Sequence, residues 1–204
     1  IENGRAIGVE TAAGTIGCGR VLQAVAGMSS VVAKMAGLEL PIRSVPLQAC
    51  VTEPVKPFLD PIIVSGSLHV YVSQSDRGEL VMGGSVDPYP LYSTRSTLEF
   101  KEELMMHMLE LFPFIGSLRV LRQWAGIADM TPDFSPVMGA TPIENYYIDS
   151  GWGTWGFKAT PVCGKRTAET VATGSVPDIL LPFALERFFR FEQVGERGAA
   201  AVGH

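Results

Sequence analysis

Apolar and polar positions alternate over Ala6–Thr11, break at Ala13-Gly14 and resume over Thr15–Ala26, which predicts an opening hairpin. Ser29–Ala36 reads as a short helix, with Ser29 or Ser30 as N-cap and Gly37 as its C-terminal stop. From Ile42 to about Val86 the residues favour strands: Ile42–Thr52, Pro61–Val64, Leu68–Gln74 and Glu79–Gly84. Ser75-Asp-Arg-Gly78 joins the last two as a turn, with Asp and Gly where a turn wants them. On Leu68–Gln74, period two sends His69, Tyr71 and Ser73 to one face and Leu68, Val70 and Val72 to the other. That pattern suits a sheet with one side on a core and the other on a cavity or solvent.

Further along, Ser96-Thr-Leu-Glu99 reads as a capping box opening a helix to about Phe112, with Pro113 helping to end it. Leu98, Met105, Met108, Leu109 and Phe112 form a stripe at helical spacing, read as core packing against the sheet. Leu118–Ala128 and Asn145–Asp149 read as strands, with the stiff loop Thr131-Pro-Asp-Phe-Ser-Pro136 between them. A glycine-rich loop follows, then a helix expected to start at Thr160-Pro161 and to stop at Gly174. A polar tail with short aromatic helices over Phe183–Phe191 closes the chain.

Composition adds bounds. The 204 residues are 47% hydrophobic and 18% charged, enough for a sizeable core. A net charge of −5 without blocks of like charge argues against nucleic-acid binding. No apolar run approaches the roughly 20 residues of a membrane-spanning helix. Cys18, Cys50 and Cys163 are too scattered for a metal site or a disulfide framework, so a reducing cytoplasm is the expected location. Ile1 stands where a start Met would, and Ile1-Glu-Asn-Gly-Arg5 reads as the end of one strand turning into the next, so an upstream continuation is expected.

Gly151-Trp-Gly-Thr-Trp-Gly156 matches G-x-G-x-x-G in form. Three features argue against a dinucleotide fingerprint: a helix start as late as Thr160, a bulky Trp155 where backbone must approach closely, and no acidic residue ending a second strand about 20 residues on. Gly156-Phe-Lys-Ala-Thr-Pro161 instead points a helix N-terminus and an ammonium at one place, a match for an anion such as a carboxylate or a reduced flavin. The competing reading is an ordinary loop with a solvated lysine.

Trp124-Ala-Gly-Ile127, Thr131-Pro-Asp-Phe-Ser-Pro-Val-Met-Gly139 and Gly151-Trp-Gly-Thr-Trp-Gly-Phe-Lys158 together resemble the C-terminal signature of the D-amino-acid-oxidase-like flavoproteins. Within that group, Val70-Tyr-Val-Ser-Gln74 with Gly78-Glu-Leu-Val-Met-Gly83, Phe183-Ala-Leu-Glu-Arg187 and Gly198-Ala-Ala-Ala-Val-Gly-His204 are similar to the β subunits of heterotetrameric sarcosine oxidases. The resemblance covers essentially the whole chain. It implies an α/β (α+β) fold: the C-terminal part of a FAD-binding oxidoreductase, with a mostly antiparallel substrate-binding sheet. Residues 1–41 and 119–175 would belong to the FAD-binding lobe, 42–118 to the substrate lobe and 176–204 to a tail.

The same resemblance implies FAD-dependent oxidation of sarcosine to glycine and a one-carbon unit, with α, γ and δ partner subunits and tetrahydrofolate on the α subunit. A covalent FMN would be attached upstream; none of His69, His107 and His204 stands at that position. Lys158 resembles the lysine that binds the substrate carboxylate beside the flavin. Gly153, Thr154, Gly156 and Phe157, with Lys158, resemble the loop against the pyrimidine edge of FAD, although Trp155 stands where the family reads Gly. Tyr71 resembles an aromatic residue lining the substrate pocket, or is equally a sheet-packing tyrosine. Alternatives are a sibling flavin enzyme acting on dimethylglycine or proline, and a noncatalytic interaction piece; a nicotinamide-binding domain is the remotest.

Overall fold

The computed structural model describes residues 1–84 and 86–194. In chain order the strands are β1 (Gly8–Thr11), β2 (Gly14–Gly17), β3 (Val21–Gln23), β4 (Arg43–Pro54), β5 (Ile63–Ser65), β6 (Val70–Gln74), β7 (Glu79–Gly83), β8 (Val120–Met130), β9 (Val137–Ala140) and β10 (Tyr146–Ser150). The α-helices are α1 (Ser29–Met35), α2 (Leu98–Leu111) and α3 (Gly156–Thr173), with short 3₁₀ turns after Pro113 and over Asp178–Phe183 and Leu185–Phe188. The expected tail Gly198–His204 lies outside the described residues.

The chain divides into two compact units. The first comprises residues 1–44 and 128–194. Its opening hairpin, β1 with β2, forms as the alternation predicts, but the return strand stops at Gly17, and β3 joins a different sheet. That sheet has the order β3-β10-β9, with β10 parallel to β3 and antiparallel to β9. Strand β9 was not foreseen; it occupies the stretch directly after the stiff proline loop. Neither expected serine caps α1: its N-cap is Met28, while the Ser30 hydroxyl donates to the Ile42 carbonyl at 2.7 Å. A serine that bonds a distant carbonyl is not available to its own helix. The core gathers Ala6, Ala33, Leu38, Ile42, Val137, Tyr146, Ile148 and Leu185.

One buried ion pair ties this unit's loop to its C-terminal segment. The Arg187 guanidinium donates from Nε to Asp133 Oδ2 at 2.8 Å and from Nη2 to Oδ1 at 3.0 Å. Nη2 and Nη1 also reach the carbonyls of Ser135 and Phe183 at 2.8 and 2.9 Å. The side chains are 3% and 1% exposed. The guanidinium also lies 4.1 Å from the centroid of the Phe188 ring. Burial pushes the Asp133 carboxyl up, but the Arg187 hydrogen bonds, with those from the Val194 and Ser135 N–H groups, outweigh it and hold it below the usual range.

The second unit comprises residues 45–84 and 86–127. Its five-stranded sheet has the order β5-β6-β7-β4-β8. Pairing is antiparallel between β5 and β6, β6 and β7, and β7 and β4. The Ser75–Gly78 turn forms as expected, with Ser75 N–H donating to Glu79 O at 2.8 Å. Cys50, Val70, Val72, Leu80 and Met82 of the sheet pack on Phe100, Leu104 and Met108 of α2. Each large apolar side chain so buried contributes about 1.5–3 kcal/mol.

The helix departs from expectation in its start and its stripe. Thr97, not Ser96, is the N-cap, accepting from Phe100 N–H at 3.3 Å. Phe100, Leu104 and Met108 are the buried positions, so Met108 of the expected stripe enters the core while Leu98 and Leu109 are exposed. The buried Gln48 side chain decides the cap: it accepts from Thr97 N–H at 2.8 Å and donates to the Thr97 hydroxyl at 3.2 Å. No helix of the described residues is long and apolar enough to cross a membrane.

Removing Arg187 leaves a buried carboxylate without its partner. In the full-length protein, Arg187→Met is expected to cost about 3–5 kcal/mol in urea unfolding. Because the folded Asp133 pKa is depressed, the pair's contribution is present above the unfolded value of about 3.9 and lost as pH falls through the lower folded one. The gap between wild type and variant should therefore close in acid. A gap that stays constant from neutral pH to below 3 would contradict the ion pair.

Candidate active site

Five of the six residues singled out from sequence follow β10, Gly153 and Thr154 in the loop before α3 and Gly156, Phe157 and Lys158 in the first turn of that helix, and the loop's shape follows from its glycines and two aspartates. Gly151 and Gly153 have φ of +75° and +53°, the left-handed region in which an L side chain is strained. Space is short as well: a Cβ at Gly151 would stand 2.6 Å from Thr131 Cγ2, and one at Gly153 2.9 Å from the Met130 sulfur.

Asp129, buried near the end of β8, receives the loop. Its Oδ2 accepts from Gly151 N–H at 2.5 Å and its Oδ1 from Gly153 N–H at 3.2 Å. Burial raises the pKa of this carboxyl, and the backbone N–H groups of the loop offset that only in part. Asp149 holds the loop from the other side, where Oδ1 accepts from the Trp152 indole N–H at 2.6 Å and Oδ2 from the Thr167 hydroxyl of α3 at 3.1 Å. Gly156 rests on Trp152, whose Cβ would lie 3.2 Å from an added methyl.

Helix α3 begins at Gly156, four residues ahead of the expected start at Thr160. Thr160 does not cap; its hydroxyl donates to the Gly156 carbonyl at 2.9 Å, and Pro161 lies inside the helix. The helix therefore does begin within the glycine run, and the first of the three arguments against a dinucleotide fingerprint falls. The bulk of Trp155 and the missing acidic partner remain.

Trp155 is the N-cap but gives no side-chain hydrogen bond, and no acidic residue occupies the first turn. The first-turn N–H groups of α3 are thus left without a side-chain acceptor, which is the condition under which a helix start takes an anion. Thr154, Phe157 and Lys158 are exposed, Phe157 at 94%. The loop donors toward Asp129 are engaged, while among the described residues no side chain caps the helix start and Lys158 enters no ion pair. This arrangement fits the electron-rich edge of a flat ring or a carboxylate.

Tyr71 belongs to the second unit. It lies on the face of β6 opposite α2, with Ser73 and Val81, while Val70 and Val72 enter the core. Burial raises its pKa, and the neighbouring Cys50 adds to the rise. The Cys50 thiol is pushed up to about 11, first by burial. His69, expected beside Tyr71 in the strand, sits in the turn before β6 with a φ of +52°. It lines a cavity of about 400 Å³ on the α2 side, with Glu99, Glu103 and His107. Among the described residues no group of acidic, imidazole and thiol side chains could hold a metal ion.

Asp129 and Asp149 were missed in the sequence. The available signal was an aspartate next to the last residue of each of two strands, β8 and β10, where an unpaired carboxylate would be costly.

A family model described as FAD dependent oxidoreductase matches residues 1–170. Sarcosine oxidase subunit beta of Rhodobacter capsulatus is 47% identical over 203 residues, covering 100% of this chain and 49% of that protein. Its counterpart from an Arthrobacter species is 48% identical, covering 97% and 49%. The chain thus spans about half the length of these relatives. Among solved structures, L-proline dehydrogenase from P. horikoshii superposes with a TM-score of 0.87 at 30% identity, covering 95% of this chain and 53% of that one. Glycine oxidase from Geobacillus kaustophilus, at 20% identity and a TM-score of 0.80 over 88% of this chain and 48% of that one, shares the fold.

Two measurements check the local chemistry. A folded pKa raised for Asp129 means that wild-type stability declines as pH rises through it, whereas Asp129→Asn does not titrate. The variant's stability relative to wild type should therefore improve from pH 4 to pH 7 in chemical unfolding of the full-length protein; a flat difference would contradict the buried carboxylate. Cys50 should resist alkylation at pH 8 in the native protein and react on unfolding, read by peptide mass spectrometry, since the thiolate is the nucleophile.

Proposed function

The chain belongs to the FAD dependent oxidoreductase family, and from that premise we propose that it forms the C-terminal half of a subunit that oxidises sarcosine to glycine and a one-carbon unit. The observation that carries the proposal is the start of α3: N–H groups without a side-chain cap, beside an exposed ammonium, on a loop clamped by two aspartates. The relatives matched along essentially the whole chain, named sarcosine oxidase subunit beta, support the substrate.

FAD supplies the two-electron acceptor when bound. Gly153, Thr154, Gly156 and Phe157 would hold the pyrimidine edge of its ring: the glycines by offering space, the helix start by offering N–H groups and positive potential. Lys158 would bind the substrate carboxylate and place the N-methyl group. Such preorganised charge favours an electron-rich state without reorganisation at the moment of reaction. Tyr71 would form an apolar wall that keeps water from the reacting carbon. No general base is required from these residues, since the amine would bind deprotonated.

In the whole enzyme the subunit would work with α, γ and δ partners in the cytoplasm. A covalent FMN would be attached upstream of this chain, and the one-carbon unit would pass to tetrahydrofolate on the α subunit. A second reading, oxidation of a related amine such as proline, is favoured by the likeness to L-proline dehydrogenase.

Lys158→Ala in the full-length, assembled enzyme should raise KM for sarcosine by roughly 10- to 100-fold, the worth of one hydrogen bond to a charged group. Simple secondary amines without a carboxylate should change little. Equal losses for both would remove the lysine from carboxylate binding.

A further inference from the structure

We infer that Gly83 is a positioning residue: its missing side chain is the seat on which the Tyr71 ring lies flat, and this sets how wide the substrate pocket is over the sheet. The inference rests on the proposal that Tyr71 forms a wall of that pocket.

Tyr71 and Gly83 are direct cross-strand partners, and the row continues to Val64 on one side and Ala49 on the other. Directly opposed side chains in an antiparallel pair stand about 4.5–5.5 Å apart at Cβ, so each feels the bulk of the other. Across this row the bulk falls from Tyr71 to nothing at Gly83 and a methyl at Ala49. The ring fills that step: a Cβ built on Gly83 would stand 2.5 Å from both Cε1 and Cζ of Tyr71 and would overlap its hydroxyl as well. These atoms belong to a rigid ring and cannot be displaced by a small bend of a flexible end.

Conformation does not explain the glycine. Gly83 is absent from the positive-φ residues, so its backbone is one that any L residue adopts. A glycine inside a strand weakens it and commonly marks a close approach by something else. Here that something is the tyrosine ring, an arrangement in which an aromatic side chain covers a glycine across the strands. Gly83 itself is buried, although it has no side chain of its own to bury it.

The consequence for selectivity is steric. Lying flat, Tyr71 keeps its bulk close to the sheet and leaves the space above it open. With a methyl at position 83, the ring must turn about χ1 and stand away from the sheet, into the volume a substrate's N-substituent would use. Bulkier N-substituted glycines should suffer more than sarcosine.

The test uses the full-length, assembled enzyme with Gly83→Ala, Tyr71→Ala and the double variant. Expected for Gly83→Ala is a rise of roughly tenfold or more in Ki for N-substituted glycines larger than sarcosine, the usual scale for one methylene in a pocket. The rise in KM for sarcosine should be smaller and kcat should stay within about twofold, since positioning and not chemistry is altered. On the Tyr71→Ala background, Gly83→Ala should add nothing. A second arm needs no substrate: acetylation by N-acetylimidazole, mapped to Tyr71, should be faster in Gly83→Ala as the hydroxyl leaves the sheet. Unchanged labelling together with unchanged Ki ratios would overturn the inference, as would a full Gly83→Ala penalty in the absence of the ring. Wild-type enzyme that fails to oxidise sarcosine would instead sink the proposed function, and the labelling arm would still decide the geometry.

Discussion

The Asp133–Arg187 pair fixes the first unit, and most of what matters there depends on it. Two charges are taken out of water, which is unfavourable unless nearly every donor and acceptor is met. Here they are: Arg187 satisfies both oxygens of Asp133 and reaches the Phe183, Ala184 and Ser135 carbonyls. The stiff loop that carries Asp133 leads directly into β9, and β9 pairs with β10, whose end delivers the glycine loop. A charge pair distant in sequence thereby holds the strand that aims the helix start.

The glycine loop follows the same logic on a smaller scale. Left-handed glycines make a tight backbone whose N–H groups would be costly to bury unpaired. Asp129 accepts the N–H groups of Gly151 and Gly153, Asp149 accepts the Trp152 indole N–H, and burial raises the Asp129 pKa, which the loop N–H groups offset only in part. The loop is therefore held by polar groups with fixed partners, while among the described residues the helix start that follows it has no side-chain cap. Rigid support behind an open front is the arrangement a binding loop requires.

Legibility in the sequence tracked the range of the interactions involved. The Ser75–Gly78 turn, the Gly37 and Gly174 stops and the apolar face of β6 were readable because each depends on a few neighbouring residues. The caps were misread where a distant partner intervened: Gln48 selects Thr97 over Ser96, and Ser30 is drawn to Ile42. The start of α3 was misread because Thr160-Pro161 has the local chemistry of a first turn, yet the backbone turns earlier, under the control of the two aspartates. The Phe183–Arg187 segment stood out by resemblance alone. Its physical reason, a guanidinium clasping Asp133, appears only when residues 54 positions apart are brought together.

Pro161 gives α3 an uneven character. A proline inside a helix has no N–H to offer the carbonyl four residues back, here that of Phe157, and such a residue weakens a helix by about 3 kcal/mol. The opening turn is thus poorly coupled to the long body of the helix behind it. Its heading is inherited from upstream, through the bonds that Asp129 and Asp149 make with Gly151, Trp152 and Gly153. The direction in which Lys158 is presented is then governed by two acidic anchors that precede it, and the helix on which it rides has little say.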